Sequence, residues 1–168
     1  MTVPKKVINF LEKRKVKYQL IEHKTVYTAF DKSQTLKEKP SVIGKTLVLK
    51  GDRHILLALI PANRSLDKQK FKRAVNTRFK KIGQKPVKKI SFASERLIKN
   101  KFPGVKVGAL PPFGSMFGFP TFVNRSFLKN PKLIINSGSW QYSIKIGKSM
   151  FQKAVPALVA ANFTKAKK

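Results

Sequence analysis

The sequence predicts a mixed α/β (α+β) domain in which helices surround a curled, barrel-like mixed central sheet of about six or seven strands. The chain has 168 residues, of which 42% are hydrophobic, enough to bury one core. Segments with helical and strand-like apolar spacing interleave irregularly, without the even alternation of a doubly wound sheet. The clearest element, "KTLVLKGDRHILLALIPA", predicts a central hairpin with strands at 45–50 and 53–60. Its second strand is a continuous apolar run, which predicts burial on both faces.

Three elements are predicted before this hairpin. A first helix follows Pro4, and its apolar face is formed by Val3, Val7, Phe10 and Leu11. The segment "KYQLIEH" predicts a short strand that reaches His23. A second helix is predicted in "TAFDKSQTLKEK", where Pro40 ends it.

The rest of the chain continues the same irregular alternation. A basic helix opening near Ser65 is predicted from an apolar stripe at four-residue spacing, formed by Phe71, Val75 and Phe79. A short helix capped by Ser94 and a closing helix from about Ser149 are also expected. Strands are predicted at 89–92, 105–109, 121–123, 133–135 and 142–146. Residues 1–164 are read as one domain and 165–168 as a basic tail.

Charge is the strongest compositional signal. The chain has 37 Lys and Arg residues against 7 Asp and Glu, a formal net charge of +30. Such a surface attracts polyanions, so RNA, DNA and anionic membranes are all candidate partners. The alternative is a solvated basic surface without a dedicated partner. Nucleic acid is the favoured partner. The acid-free stretch 68–89 predicts a helix lying along a phosphate backbone, and the proposed RNA contacts are Lys68, Lys72, Arg73, Lys80 and Lys81.

Several functional classes are disfavoured. The chain has no cysteine and only two histidines, so thiol chemistry, disulfides and histidine-rich metal sites are not expected. It contains no phosphate-binding glycine loop, no serine elbow and no obvious carboxylate pair, and no cofactor is expected. No apolar run is long enough to cross a bilayer, and charges interrupt the apolar clusters of "MTVPKKVINFLEKRKVK". A cytoplasmic protein without membrane or metal partners is therefore predicted.

The stretch "GALPPFGSMFGFPTFV", residues 108–123, predicts a rigid, sharply turned loop. It combines three glycines, three prolines and four phenylalanines. Proline fixes φ and lacks a backbone donor, whereas glycine adopts conformations that other residues avoid. The phenylalanines either pack in the core, the commoner role, or offer a face to a nucleobase.

Five segments in a fixed order carry a resemblance to a known family. They are "GKTLVLKG" at 44–51, "LALIPANRSLD" at 57–67, "VGALPPFG" at 107–114, "TFVNRSFL" at 121–128 and "IINSGSWQYSIKI" at 134–146. Together they resemble the YbaK and prolyl-tRNA synthetase insertion-domain family of aminoacyl-tRNA editing deacylases. The resemblance extends from the first helix through Ile146.

The resemblance implies a set of site residues. The family's catalytic lysine falls on Lys45, for which an ordinary strand-edge lysine is the alternative. The substrate-binding positions would be His23, Thr28, Gly108, Ala109, Leu110, Pro112, Phe113, Gly114, Ser137, Gly138 and Ser139, several of which could instead be turn residues. His23 is a less favoured candidate for a general base, since a partly buried structural histidine is commoner. Trp140 departs from the family pattern and is expected to narrow the pocket or stack on a base.

The resemblance also implies an activity. It predicts a trans-editing deacylase that hydrolyses the ester of a mischarged tRNA, with tRNA-Pro carrying alanine or cysteine as the first candidate. Catalysis would rest on backbone donors, a bound water and the vicinal ribose hydroxyl. The alternative is a catalytically inactive RNA-binding protein on the same fold. Expected partners are mischarged tRNA and, as further candidates, prolyl-tRNA synthetase or the ribosome, with a monomer as the oligomeric state.

Overall fold

The computed structural model describes residues 2–167, which form five α-helices and ten strands. The helices are α1 (Lys5–Lys13), α2 (Ala29–Leu36), α3 (Lys68–Lys81), α4 (Glu95–Lys101) and α5 (Lys148–Ala154). The strands are β1 (Gln19–Glu22), β2 (Gly44–Gly51), β3 (His54–Pro61), β4 (Arg64–Leu66), β5 (Ile90–Phe92), β6 (Thr121–Asn124), β7 (Lys132–Asn136), β8 (Tyr142–Gly147), β9 (Val159–Ala161) and β10 (Thr164–Ala166). The mixed α+β class is confirmed.

The strands form three sheets rather than one curled sheet. Five strands pair in the order β5-β2-β3-β6-β9, three in the order β1-β8-β7, and two as β10-β4. The β3–β6 and β6–β9 pairs are parallel, while the other strand pairs are antiparallel. A single parallel bridge, Ile43–Ile134, joins the first two sheets. The predicted barrel-like sheet is therefore corrected, because this single bridge between Ile43, just before β2, and β7 does not close a barrel.

The β2–β3 hairpin lies at the centre of the larger sheet, as predicted. Its register pairs Gly44 with Pro61 and Gly51 with His54. On one face of β3, alternate side chains from Leu56 to Ile60 pack on the apolar stripe of α3. On the other face, Leu59 joins the core beneath α1 and α5. Burial on both faces explains why β3 is an unbroken apolar run.

One predicted strand and the predicted start of one helix are wrong for local reasons. Residues 105–109 form turns rather than a strand, with Gly108 in the left-handed region at φ +86°. Helix α3 begins at Lys68 rather than near Ser65, because β4 occupies the preceding residues. Asp67 caps α3: its Oδ1 accepts hydrogen bonds from the amides of Gln69 and Lys70, each at 3.0 Å.

The end of the chain adds strands that the sequence pattern did not predict. Strand β9 extends the larger sheet, and β10 pairs with β4 so that Lys165 lies opposite Ser65. Lys165 belongs to β10, while Lys168 lies outside the described residues. Such three-residue strands are too short for an apolar periodicity. The single-domain boundary at 164 stays a prediction.

Candidate active site

One pocket of about 550 Å³ brings together segments that are far apart in the sequence. The segment that leads into α2 and its first turn supply one wall, and β2 supplies another. The turn at Gly108 and the end of β7 complete it. The lining residues are Tyr27, Thr28, Ala29, Phe30, Lys45, Thr46, Leu47, Ala62, Gly108, Asn136 and Lys167. Three of the predicted site residues, Thr28, Lys45 and Gly108, therefore meet at one pocket.

Lys45 enters the pocket from β2, where it lies opposite Ile60. Its side chain is half-buried, and burial lowers the pKa of its ammonium, with a further lowering from the charge of Lys167. No Asp or Glu lines the pocket. The site is therefore cationic and is suited to an anionic ligand.

The Gly108 turn forms a pocket wall because of its backbone conformation and its neighbours. A Cβ at Gly108 would lie 3.3 Å from the carbonyl oxygen of Tyr27. The indole Nε1 of Trp140 donates a 2.8 Å hydrogen bond to the carbonyl of Val107, and its ring meets Tyr27 edge-on at 4.9 Å between centroids. Trp140 thus braces this turn from behind and is not among the lining residues. Among the described residues, the Gly108 amide has no hydrogen-bond acceptor.

The other predicted site residues of this loop are buried and do not face the pocket. Ala109, Leu110, Pro112, Phe113 and Gly114 are all buried, and none of them lines the pocket. The ring of Phe113 stacks on that of Phe10, with centroids 5.2 Å apart. The structural role expected for at least half of the loop phenylalanines thus holds for Phe113 and for the equally buried Phe122.

The Ser137–Ser139 turn supports the Gly108 turn rather than facing the pocket. The Gly138 amide donates to the carbonyl of Ala109 at 2.7 Å. The Ser137 hydroxyl donates to the carbonyl of Tyr142 at 2.6 Å, and the Ser139 hydroxyl accepts from the Gln141 amide at 3.2 Å. These hydroxyl groups are engaged in turn hydrogen bonds.

His23 also lies outside the pocket lining. Its Nδ1 lies 2.8 Å from the carbonyl of Lys24, which can only accept, so Nδ1 carries the proton. Its Nε2, 2.9 Å from Ser143 Oγ, then accepts the hydroxyl proton of that serine. Burial lowers the pKa of His23, the Lys24 carbonyl raises it, and the charge of Lys32 lowers it again. With both ring nitrogens engaged, the geometry favours the structural role over the general base.

Behind the pocket lies a buried lysine that sequence reasoning missed. Lys32 of α2 is only 4% exposed, and its ammonium donates a 2.6 Å hydrogen bond to Oδ1 of Asn136, a pocket residue. Burial lowers the pKa of Lys32 to about 8. Thr46, another missed pocket residue, has a buried hydroxyl without a hydrogen-bond partner in the described structure. The sequence carried a weak signal for Lys32, a cation one helical turn after the Thr28 cap.

We expect Lys32→Met to stabilise the fold at pH 7 by about 2 kcal/mol. A pKa lowered from 10.5 to about 8 corresponds to about 3 kcal/mol of burial cost, from which the lost hydrogen bond to Asn136 takes about 1 kcal/mol. Below pH 8 both the folded and the unfolded chain hold the Lys32 proton, so the full cost of burying the charged ammonium lowers the stability of the fold. Between about pH 8 and 10.5 the unfolded chain binds the extra proton, and wild-type stability rises with pH.

Denaturant unfolding at several pH values measures this difference. The stability gap between Lys32→Met and wild type should shrink as pH rises from 8 to 10. The matched control is Lys24→Met, an exposed lysine, for which the gap should stay near zero. A gap for Lys32→Met that is independent of pH would contradict a lowered pKa.

The predicted RNA contacts lie on α3, away from the pocket lining. Phe71, Val75 and Phe79 are buried as predicted. Lys68, Arg73, Lys80 and Lys81 are exposed and Lys72 is half-buried, so a basic face points outward. RNA binding by this face stays a prediction.

Metal-binding clusters and membrane-spanning helices are both absent from the described residues. Residues 2–167 contain no group of three or more His, Cys, Asp or Glu side chains placed to hold a metal ion. None of the helices in this range combines the length and apolar character that a bilayer crossing requires.

Comparison with protein families agrees with the site. The family of aminoacyl-tRNA editing domains matches residues 23–154, which is most of the chain. The chain belongs to this family. No curated protein sequence gives a significant match.

Solved structures of low sequence identity share the fold. A candidate trans-editing enzyme for prolyl-tRNA synthetase has a TM-score of 0.76 at 19% identity, with 96% of each chain covered. The hypothetical protein APE2540 has a TM-score of 0.77 at 18% identity, with 95% of this chain and 99% of that chain covered. A scaffold from computational epitope grafting reaches 0.75 at 17% identity, with 97% of each chain covered. The YbaK-like editing fold predicted from the sequence is thereby confirmed.

Proposed function

We propose that this protein is a cytoplasmic trans-editing deacylase that hydrolyses the ester bond of mischarged aminoacyl-tRNA. The first substrate candidate is tRNA-Pro carrying alanine or cysteine. The observation that carries the proposal is the meeting of Lys45, Thr28 and Gly108 at one cationic pocket, in a chain of the editing-domain family. The chain acts as a monomer in this proposal, with prolyl-tRNA synthetase or the ribosome as candidate partners.

The chemistry assigns separate roles to the pocket groups. A water attacks the ester carbonyl, and the free Gly108 amide holds the developing oxyanion. The Lys45 ammonium orients the substrate through its phosphate backbone. Collapse of the tetrahedral intermediate breaks the bond to the ribose 3′ oxygen, which takes up the proton released by the water. The vicinal 2′ hydroxyl relays this proton, since no Asp or Glu lines the pocket and His23 lies outside it.

A panel of mischarged tRNAs, each assayed for release of the free amino acid, tests the proposal. Accelerated release from at least one of them supports the deacylase. Tight binding of tRNA without release from any member favours the alternative, an inactive RNA-binding protein on the same fold. The net charge of +30 suits both functions, so only turnover separates them.

We expect a substrate tRNA that ends in 2′-deoxyadenosine to be deacylated at least about 100-fold more slowly than its ribose counterpart. The reason is that a positioned proton relay typically contributes 10²–10⁴-fold in rate. Single-turnover rates on the two tRNAs, charged with the same amino acid, measure the difference. Equal rates would show that the proton moves through another group.

A further inference from the structure

Lys167 is a second cation of the pocket, and it comes from outside the family match. The match ends at residue 154, whereas Lys167 follows β10. Even so, Lys167 lines the same pocket as Lys45. The end of the chain therefore adds a charged group to a site whose other lining residues all lie within the matched region.

Three features of the structure hold the Lys167 side chain in place. Pairing of β10 with β4, in which Thr164 lies opposite Leu66, brings the end of the chain back to the pocket. The Lys167 ammonium donates a 3.3 Å hydrogen bond to the carbonyl of Ala62. The same ammonium lies 5.8 Å from the centroid of the Phe30 ring, a cation–π contact.

Within residues 2–167, neither pocket ammonium has an anionic partner. Among residues 2–167 the one ion pair joins Lys99 to Glu95 on α4, on an exposed helix surface. Burial lowers the pKa of Lys45, and the charge of Lys167 lowers it further. Two like charges that share a pocket repel each other, and an anion placed between them relieves that repulsion.

We propose that Lys167 and Lys45 together bind one phosphodiester, the linkage that precedes the terminal adenosine of the tRNA. This inference rests on the proposed function and extends it to a residue just after the final strand. Lys45 is half-buried and Lys167 exposed, so the two lysines lie at different depths from solvent. A backbone phosphate outside the bound adenosine fits that placement better than a carboxylate on the amino acid, which would lie inside.

Minimal substrates test the assignment. One amino acid is esterified to adenosine, which lacks a phosphate, and to the dinucleotide cytidylyl-adenosine, which has one phosphodiester. Lys167→Ala should raise KM about tenfold for the dinucleotide ester with kcat little changed, and should leave the adenosine ester unaffected. Lys167→Arg should retain dinucleotide activity. The matched control is Lys165→Ala, an exposed lysine of β10 outside the pocket lining, which should leave both esters unchanged.

Binding of unesterified cytidylyl-adenosine gives a readout that does not depend on turnover. Lys167→Ala should weaken this binding about tenfold and reduce the slope of log Kd against log salt concentration by about 0.7, the value for one phosphate contact in a single strand. If wild type cleaves no ester but Lys167→Ala still weakens dinucleotide binding and reduces the salt slope, the phosphate assignment holds and the deacylase proposal fails.

Three results overturn the phosphate assignment. They are an equal loss on the adenosine ester, unchanged dinucleotide binding in Lys167→Ala, and a Lys167 effect confined to esters of acidic amino acids. The last result would place a substrate carboxylate between the two lysines.

Discussion

Lys45→Ala should lower kcat/KM for a mischarged tRNA by about 10²–10³-fold while tRNA affinity falls less than about threefold. Lys45 orients the ester through a backbone phosphate, and misplacement of the reacting atoms by about 1 Å typically costs about 10²-fold in rate or more. The loss of tRNA affinity is small, because a chain with 37 cationic residues holds the RNA at many other phosphates. Deacylation kinetics and tRNA binding at fixed salt measure the two effects separately.

Strand β2 supplies the matched control for this variant. Lys50 is exposed, lies on the same strand opposite Ile55, and is absent from the pocket lining. Lys50→Ala should keep wild-type kcat/KM within about twofold. If Lys45→Ala lost activity and tRNA affinity in equal proportion, Lys45 would only hold the RNA and would not position the ester for attack. If it lost neither, the ordinary strand-edge lysine would be the correct reading.

The helices and strands could be predicted from the sequence because the spacing of apolar residues along one segment determines which face of that segment is buried. The four-residue spacing of Phe71, Val75 and Phe79 predicted α3, since that spacing places them on one helical face. The apolar run of β3 predicted a central strand, since both its faces are covered. Lys45 was identified by resemblance alone, because nothing in composition separates one lysine from 36 other cationic residues.

Pocket partners that depend on tertiary packing were not predictable in this way. Lys32 and Asn136 are 104 residues apart, and only the packing of α2 against β7 brings them together. Lys167 reaches the pocket only because β10 pairs with β4. Residues 105–109 have the alternating apolar pattern of a strand but form a turn, because Gly108 adopts a positive φ that a strand does not allow.

Gly114 is a predicted substrate-binding residue whose surroundings indicate a structural role. A Cβ there would lie 2.3 Å from the carbonyl oxygen of Phe119 and 2.5 Å from Oγ1 of Thr121. The Gly114 amide donates a 2.9 Å hydrogen bond to that same Oγ1, and its carbonyl accepts from the Phe119 amide at 3.0 Å. Thr121 begins β6, which lies between β3 and β9, so the loop is tied to the centre of the larger sheet.

Gly114→Ala should therefore destabilise the fold by about 3 kcal/mol or more, as expected when a methyl group is forced against buried backbone. The matched control in the same loop is Gly118→Ala. Gly118 has φ +82° and no atom within 4 Å of a built Cβ, so this variant should cost only about 1 kcal/mol of backbone strain. Denaturant unfolding of both variants measures the difference. Equal costs would mean that the loop yields at Gly114, and a stable Gly114→Ala protein without activity would return this glycine to the substrate site.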